Sequence, residues 1–147
     1  MRKIVFVCTG NTCRSPMAEV IMKNKIKCAG ITDIRVTSAG LCANKGDKMS
    51  ENSIKALRVM GYKSYGFKSK PVTKKLLLSA DVVICMTSEH KRYIANFPNV
   101  RTISELSGLN EIIDPYGRDL SVYLNTSRQI ADACEIILQK IIRQEGE

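Results

Sequence analysis

Two rhythms of apolar and polar positions alternate along this chain, and each change of rhythm marks an element. Residues 3 to 7, "KIVFV", are an unbroken β-branched and aromatic run between polar neighbours, which predicts a strand buried on both faces. "DIRVTSAG" (33–40) puts Ile34 and Val36 on one side and ends in small residues, a second strand. "DVVICM" (81–86) is again continuously apolar, and "NVRTI" (99–103) predicts a short fourth strand. Between these runs the period lengthens. Ser15 precedes "PMAEVIMKNKIKCAG", with Pro16 in the first turn, Val20, Ile21, Met22 and Ile26 apolar and Gly30 as the stop, so a helix capped by Ser15 is predicted. Ser50 before "ENSIKALRVMG" opens a second helix, with Ile54, Leu57, Val59 and Met60 on its apolar side and Gly61 closing it. Thr73, after Pro71, opens a short third; Ser88 caps a fourth that ends before Pro98. "SELSGLNEIIDPYGRDLS" carries Gly, Asp and Pro and reads mostly as loop. From about Ser121 through Ile142 apolar residues recur at helical spacing, predicting a long closing helix.

Strands alternating with helices imply right-handed crossovers and a small doubly wound, Rossmann-like α/β fold, a four-stranded parallel sheet with helices on both faces. No repeat, low-complexity segment or linker interrupts the pattern, so residues 1–147 are expected to form a single domain.

Composition narrows the function. Hydrophobic residues at 44% and charged residues at 25% argue against disorder. "MRKIVFVC" resembles an export signal only briefly, because its apolar run falls short of the roughly 7 to 15 residues such a signal needs. A cytoplasmic protein without membrane attachment is expected. Lys and Arg, 23 against 14 Asp and Glu, give a net charge of +9, so the surface attracts anions. Nucleic acid is disfavoured as a partner, since the basic residues are dispersed and aromatic platforms are scarce. Zinc is disfavoured too: no pair of cysteines has two-residue spacing and His90 is the only histidine. Cys28, Cys85 and Cys134 lie in apolar segments and are expected to be small buried hydrophobes. His90 is expected to be exposed or to cap a helix rather than to act in chemistry.

The turn after the first strand remains. In this fold that turn opens a helix whose amides point at a ligand. Thr9, Gly10, Asn11 and Thr12 are small or polar enough to form an amide-lined concavity for an anion. Cys8 and Arg14, with five residues between them, can set a sulfur beneath that anion and a bidentate guanidinium beside it. Loop amides, a helix N-terminus and Arg14 favour a Cys8 thiolate at neutral pH, and Ser15 can donate to it. A nucleotide P-loop is excluded, because Arg14-Ser15 stands where Lys-Ser/Thr is required.

"CTGNTCRSPMAE" after an N-terminal strand, "SAG" at 38–40 and "DPYG" at 114–117 resemble, in order and spacing, the low-molecular-weight protein-tyrosine-phosphatase family. The resemblance spans essentially the whole chain. It implies Cys8 as nucleophile, Arg14 as the phosphate and transition-state ligand and Asp114 as general acid. It also implies a phosphate-binding loop of Thr9, Gly10, Asn11, Thr12, Cys13, Arg14 and Ser15. Asn11 and Ser38 would hold the loop's shape, and Ser15 would favour the thiolate. No metal or organic cofactor is implied. The partners expected are phosphorylated proteins or peptides, with the chain acting as a monomer.

Within the family, Thr12 in place of a bulky aliphatic residue, and Tyr116 followed by Gly117, look like the protein-arginine-phosphatase branch. A Thr12 hydroxyl can accept from a guanidinium with which Asp114 can pair. Tyrosine specificity stays open as the alternative. Cys13 resembles the family's resolving cysteine, able to form a reversible disulfide with Cys8. Arsenate reduction is disfavoured because after Cys85 the next cysteine is Cys134, so a close relay pair is missing. An inactive phosphate-binding module is disfavoured by the intact Cys8, Arg14 and Asp114.

Overall fold

The computed structural model describes residues 2–64 and 66–146. Strand β1 (Arg2–Cys8) extends the apolar run by one residue at each end. The chain continues through α1 (Arg14–Cys28), β2 (Ile34–Gly40), α2 (Glu51–Val59), α3 (Lys74–Ser79) and β3 (Val82–Cys85). It ends with α4 (Ser88–Tyr93), β4 (Val100–Thr102), α5 (Ile103–Ser107) and α6 (Leu120–Gly146). The strands are parallel in the order β2-β1-β3-β4, the expected α/β fold.

The unbroken apolar runs follow from burial on both faces. Ile4, Phe6 and Ile84 enter one core cluster with residues of α1, α2, α5 and α6. Val5, Val7, Val83 and Cys85 turn the other way, against Leu77 of α3 and Ile94 at the end of α4. Phe6 has no exposed surface, and burying a side chain of that size contributes about 1.5–3 kcal/mol.

The topology also locates the site. The chain leaves β1 for β2 on one side and returns to β3 on the other, so strand order reverses at β1. Ligands in such sheets bind at the carboxyl ends on either side of that reversal. Loop 9–13 leaves β1 at this crevice, and residues 86–90 leave β3 beside it.

Several local expectations are corrected. Helix α1 begins at Arg14 with Cys13 in the capping position, and Ser15 sits inside the first turn with its hydroxyl on Cys8 instead of on the helix amides. Thr87, not Ser88, caps α4, because the β3 ladder ends at Met86, whose N–H donates to Val7 O at 3.1 Å. Val59 is exposed: it stands two residues, about 200° of helix, from the buried Leu57. Cys28 is exposed for the same reason, two residues past buried Ile26, whereas Cys85 and Cys134 are buried as expected. The segment read as loop contains α5, signalled by "TISE": the Thr102 side chain accepts from Glu105 N and the Glu105 carboxylate accepts from Thr102 N.

Candidate active site

The loop from Cys8 to Ser15 is held by its one left-handed residue. Asn11, at φ 56°, adopts a conformation that asparagine tolerates better than most residues. Its Nδ2 donates to Ser15 Oγ at 2.9 Å and to Ser38 Oγ at 3.0 Å. Its Oδ1 accepts from Lys70 N at 3.0 Å, and its carbonyl accepts from Ser69 Oγ at 2.6 Å. Both Nδ2 hydrogens are therefore committed. Ser38 gives its own proton to Glu19 Oε1 at 2.8 Å, and the Ser15 hydroxyl, 2.9 Å from Cys8 Sγ and 3.5 Å from Ala39 O, can donate to either. The buried Cys8 sulfur thus meets a hydroxyl already polarised by an amide donor. Gly40, paired with Cys8 across the sheet, leaves no room for a side chain: a Cβ there would lie 2.6 Å from Thr9 O and 2.8 Å from Asn11 N. The "SAG" motif is explained by that close approach as much as by Ser38.

Arg14 is only 5% exposed and enters the site from the first residue of α1. Its Nη1 donates to Ile112 O at 3.0 Å, while Nη2 lies 3.6 Å from Asp114 Oδ2. The exposed Asp114 accepts from Tyr116 N at 3.0 Å through Oδ1. Arg14 and Asp114 thus meet in one cleft beside the turn that leaves Cys8 at the end of β1.

His90 corrects its sequence reading. It is neither exposed nor a cap but 5% exposed in the site wall, with Nε2 3.0 Å from Thr9 Oγ1 and 3.5 Å from Arg14 Nη2. Nε2 thus lies within reach of both a hydroxyl and a guanidinium, and Nδ1 has no hydrogen-bond partner among the described residues. Burial first, and the Arg14 charge second, push the imidazole down to about 4, against weaker opposing pulls from Asp114 and Glu111. No motif pointed to His90. The reversal of strand order at β1 would have, because it brings the turn after β3 beside the loop after β1.

That depression carries a sign. A histidine held near 4 in the fold and near its ordinary ~6.5 unfolded stabilises the fold fully above about pH 6.5 and loses that contribution as pH falls towards 4. Thermal unfolding midpoints should therefore drop more steeply between pH 7 and 4 in the wild type than in His90→Asn. Parallel profiles would show that the ring is not buried uncharged.

The specificity candidates lie at the margin of this network. Thr12 is half-buried, its carbonyl accepts from Ser50 N at 2.8 Å, and its hydroxyl lies 3.8 Å from Cys13 Sγ. Tyr116 is 76% exposed and precedes Gly117 at φ 77°, where a side chain would be strained. Cys13 is buried, with Sγ 3.4 Å from Ser50 Oγ and 3.5 Å from the Tyr123 hydroxyl. A cleft of about 660 Å3 lined by Thr9, Arg14, His90 and Asp114 opens between the exposed Tyr93 and Ile113. Among the described residues no cluster of three or more His, Cys, Asp or Glu is gathered as metal ligands, and no helix is long and apolar enough to cross a membrane. Glu19, Ser69 and Lys70 escaped the sequence reading, because only the fold brings them to Asn11.

Comparison with known proteins agrees with this geometry. Residues 3–146 match the family described as low molecular weight phosphotyrosine protein phosphatase. A protein-arginine-phosphatase of Bacillus subtilis (strain 168) is 36% identical over 148 residues, covering 96% of this chain and 95% of that protein. The low molecular weight protein-tyrosine-phosphatase PtpB of Staphylococcus epidermidis is 34% identical over 92% of this chain and 96% of its own. Among solved structures, a YwlE mutant from Bacillus subtilis superimposes with a TM-score of 0.90 at 32% identity, covering 96% of this chain and 99% of that one. A low molecular weight protein tyrosine phosphatase from T. tengcongensis gives 0.89 at 35%, covering 95% and 99%.

Proposed function

This chain belongs to the low molecular weight phosphotyrosine protein phosphatase family, and on that premise we propose that it removes the phosphoryl group from phosphoarginine in proteins. Cys8 Sγ attacks phosphorus in line; an S–P bond forms, the N–P bond of the substrate breaks, and Asp114 gives a proton to the departing nitrogen. Water then attacks the phosphocysteine, passes its proton to the same carboxylate, and phosphate leaves as the thiolate is restored. Arg14 and the amides of residues 9–15 surround the equatorial oxygens on which charge collects. The observation that carries the hydrolytic reading is the contact chain Asn11 to Ser15 to Cys8, which sets a hydroxyl able to donate 2.9 Å from the sulfur.

Arginine specificity is supported by Thr12, whose hydroxyl, 3.8 Å from Cys13 Sγ, has a lone pair that can accept from a guanidinium. An aliphatic side chain there would leave that group unpaired, a mismatch worth about 1–3 kcal/mol. The wild type is expected to turn over phosphoarginine peptides with the higher kcat/KM, and Thr12→Ile should lower that value about tenfold or more while improving use of phosphotyrosine. If phosphotyrosine is preferred by the wild type and the substitution leaves the ratio unmoved, the specificity reading is wrong and the family mechanism stands.

Cys13 we read as the resolving thiol. Peroxide converts the Cys8 thiolate to a sulfenic acid; attack by Cys13 forms the disulfide and releases water, and an added dithiol reduces it. Activity lost to peroxide should return with dithiothreitol in the wild type and stay lost in Cys13→Ser. Equal recovery in the two would remove the role.

A further inference from the structure

A second cleft of about 660 Å3 lies between α1 and residues 61–63 and 66–70. Five lysines line it, Lys23, Lys27, Lys63, Lys68 and Lys70, against one carboxylate, Glu19. That carboxylate is already occupied: Oε1 accepts from Ser38 and Oε2 pairs with Lys23 at 2.9 Å. Lys27, Lys63, Lys68 and Lys70 form no ion pair among the described residues. Lys70 is half-buried, and burial, followed by the nearby Lys3 and Lys23, lowers its pKa against a pull from Glu19. A concentration of like charge in a concave site is relieved most directly by an anion that several ammonium groups share.

Both walls of this cleft end on Asn11. From the α1 side the path runs Glu19, Ser38, Asn11 Nδ2. From the other side Lys70 N and Ser69 Oγ clamp Asn11 Oδ1 and O. We propose that the lysine-lined cleft binds an oligophosphate anion, of the chemistry shared by free polyphosphate and the phosphate chain of a nucleotide, and that its occupancy lowers turnover through Asn11. Drawing Lys23 and Lys70 onto the ligand pulls on both supports of the left-handed residue. The loop that receives the transferring phosphoryl group then loses its preorganised shape. The effect on turnover rests on the phosphatase reading; the binding does not.

The site is tested with tripolyphosphate, and with adenosine triphosphate as the nucleotide arm. Calorimetric titration is run with the signature loop filled by monomeric orthovanadate, a mimic of the transferring phosphoryl group. One further equivalent of anion should bind, with affinity reduced about tenfold or more in Lys27→Ala/Lys63→Ala/Lys68→Ala. Lys74→Ala/Lys75→Ala/Arg128→Ala removes as much charge from exposed positions outside the cleft and should bind as the wild type does. With p-nitrophenyl phosphate at saturation, the anion should lower kcat in the wild type and the control but not in the cleft variant. Stronger binding of adenosine triphosphate than of tripolyphosphate would assign the site to nucleotides, and the reverse to free polyphosphate. The proposal is overturned if orthovanadate abolishes all binding, if the two triple variants lose affinity equally, or if saturating anion leaves kcat unchanged. An enzyme with no p-nitrophenyl phosphatase activity at all would sink the phosphatase reading instead.

Discussion

Cys8→Ser is expected to reduce hydrolysis of p-nitrophenyl phosphate by about four orders of magnitude or more, the scale on which loss of a covalent nucleophile is felt. The substitution changes one atom at a position with almost no exposed surface, so loop and sheet should persist. A serine hydroxyl at neutral pH is a far weaker nucleophile than a thiolate. The Ser15 hydroxyl, which can donate to the sulfur, would meet a neutral oxygen instead. Amides and Arg14 remain, so inorganic phosphate or orthovanadate should still bind, a split between affinity and turnover that calorimetry and steady-state kinetics measure together. Residual activity within tenfold of the wild type would remove Cys8 from the chemistry. Equal inactivity of wild type and variant would favour a module that only binds phosphate.

Arg14→Lys should cost about a thousandfold or more in kcat, the range in which an arginine stabilising a transferring phosphoryl group is worth. Lysine keeps the charge but brings one nitrogen. The guanidinium reaches Ile112 O, His90 Nε2 and the Asp114 carboxylate from two nitrogens while it stays planar for a bidentate grip on oxygen. An ammonium that faces the phosphate leaves the buried Ile112 carbonyl without its donor. The loss should fall mainly on kcat, with KM changed far less, because the developing charge of the transition state gains most from two aligned donors. A fall confined to KM would make Arg14 a binding residue only. Near-normal rates in the lysine variant would show that charge alone is sufficient.

Much of this was legible in one dimension. The doubly buried runs of β1 and β3 read directly as strands because residues 4–7 and 82–85 are apolar without a break, and the reason emerges from the two core clusters on opposite faces of the sheet. The caps Ser50 and Thr73 were legible because a side-chain acceptor three residues before an amide is a local arrangement. Ser15 misled for a related reason: it has the chemistry of a cap, and its hydroxyl was claimed by Cys8 instead. The α5 signal was present in "TISE" but lay inside a stretch dominated by turn formers.

The sequence by itself determined the order of the four strands and put Cys8, Asn11, Arg14 and Ser15 on the one turn after the first of them, because these depend on spacings of a few residues along one strand and one helix turn. Tertiary structure alone decided that Ser69 and Lys70 close around Asn11, that Gly40 must lack a side chain, and that His90 lies uncharged against Arg14. Those partners come from separate segments, delivered to one point by the crossovers on either side of β1. Their roles depend on directions, burial and donor counts that appear only when the parallel sheet brings the carboxyl ends of β1 and β3 together.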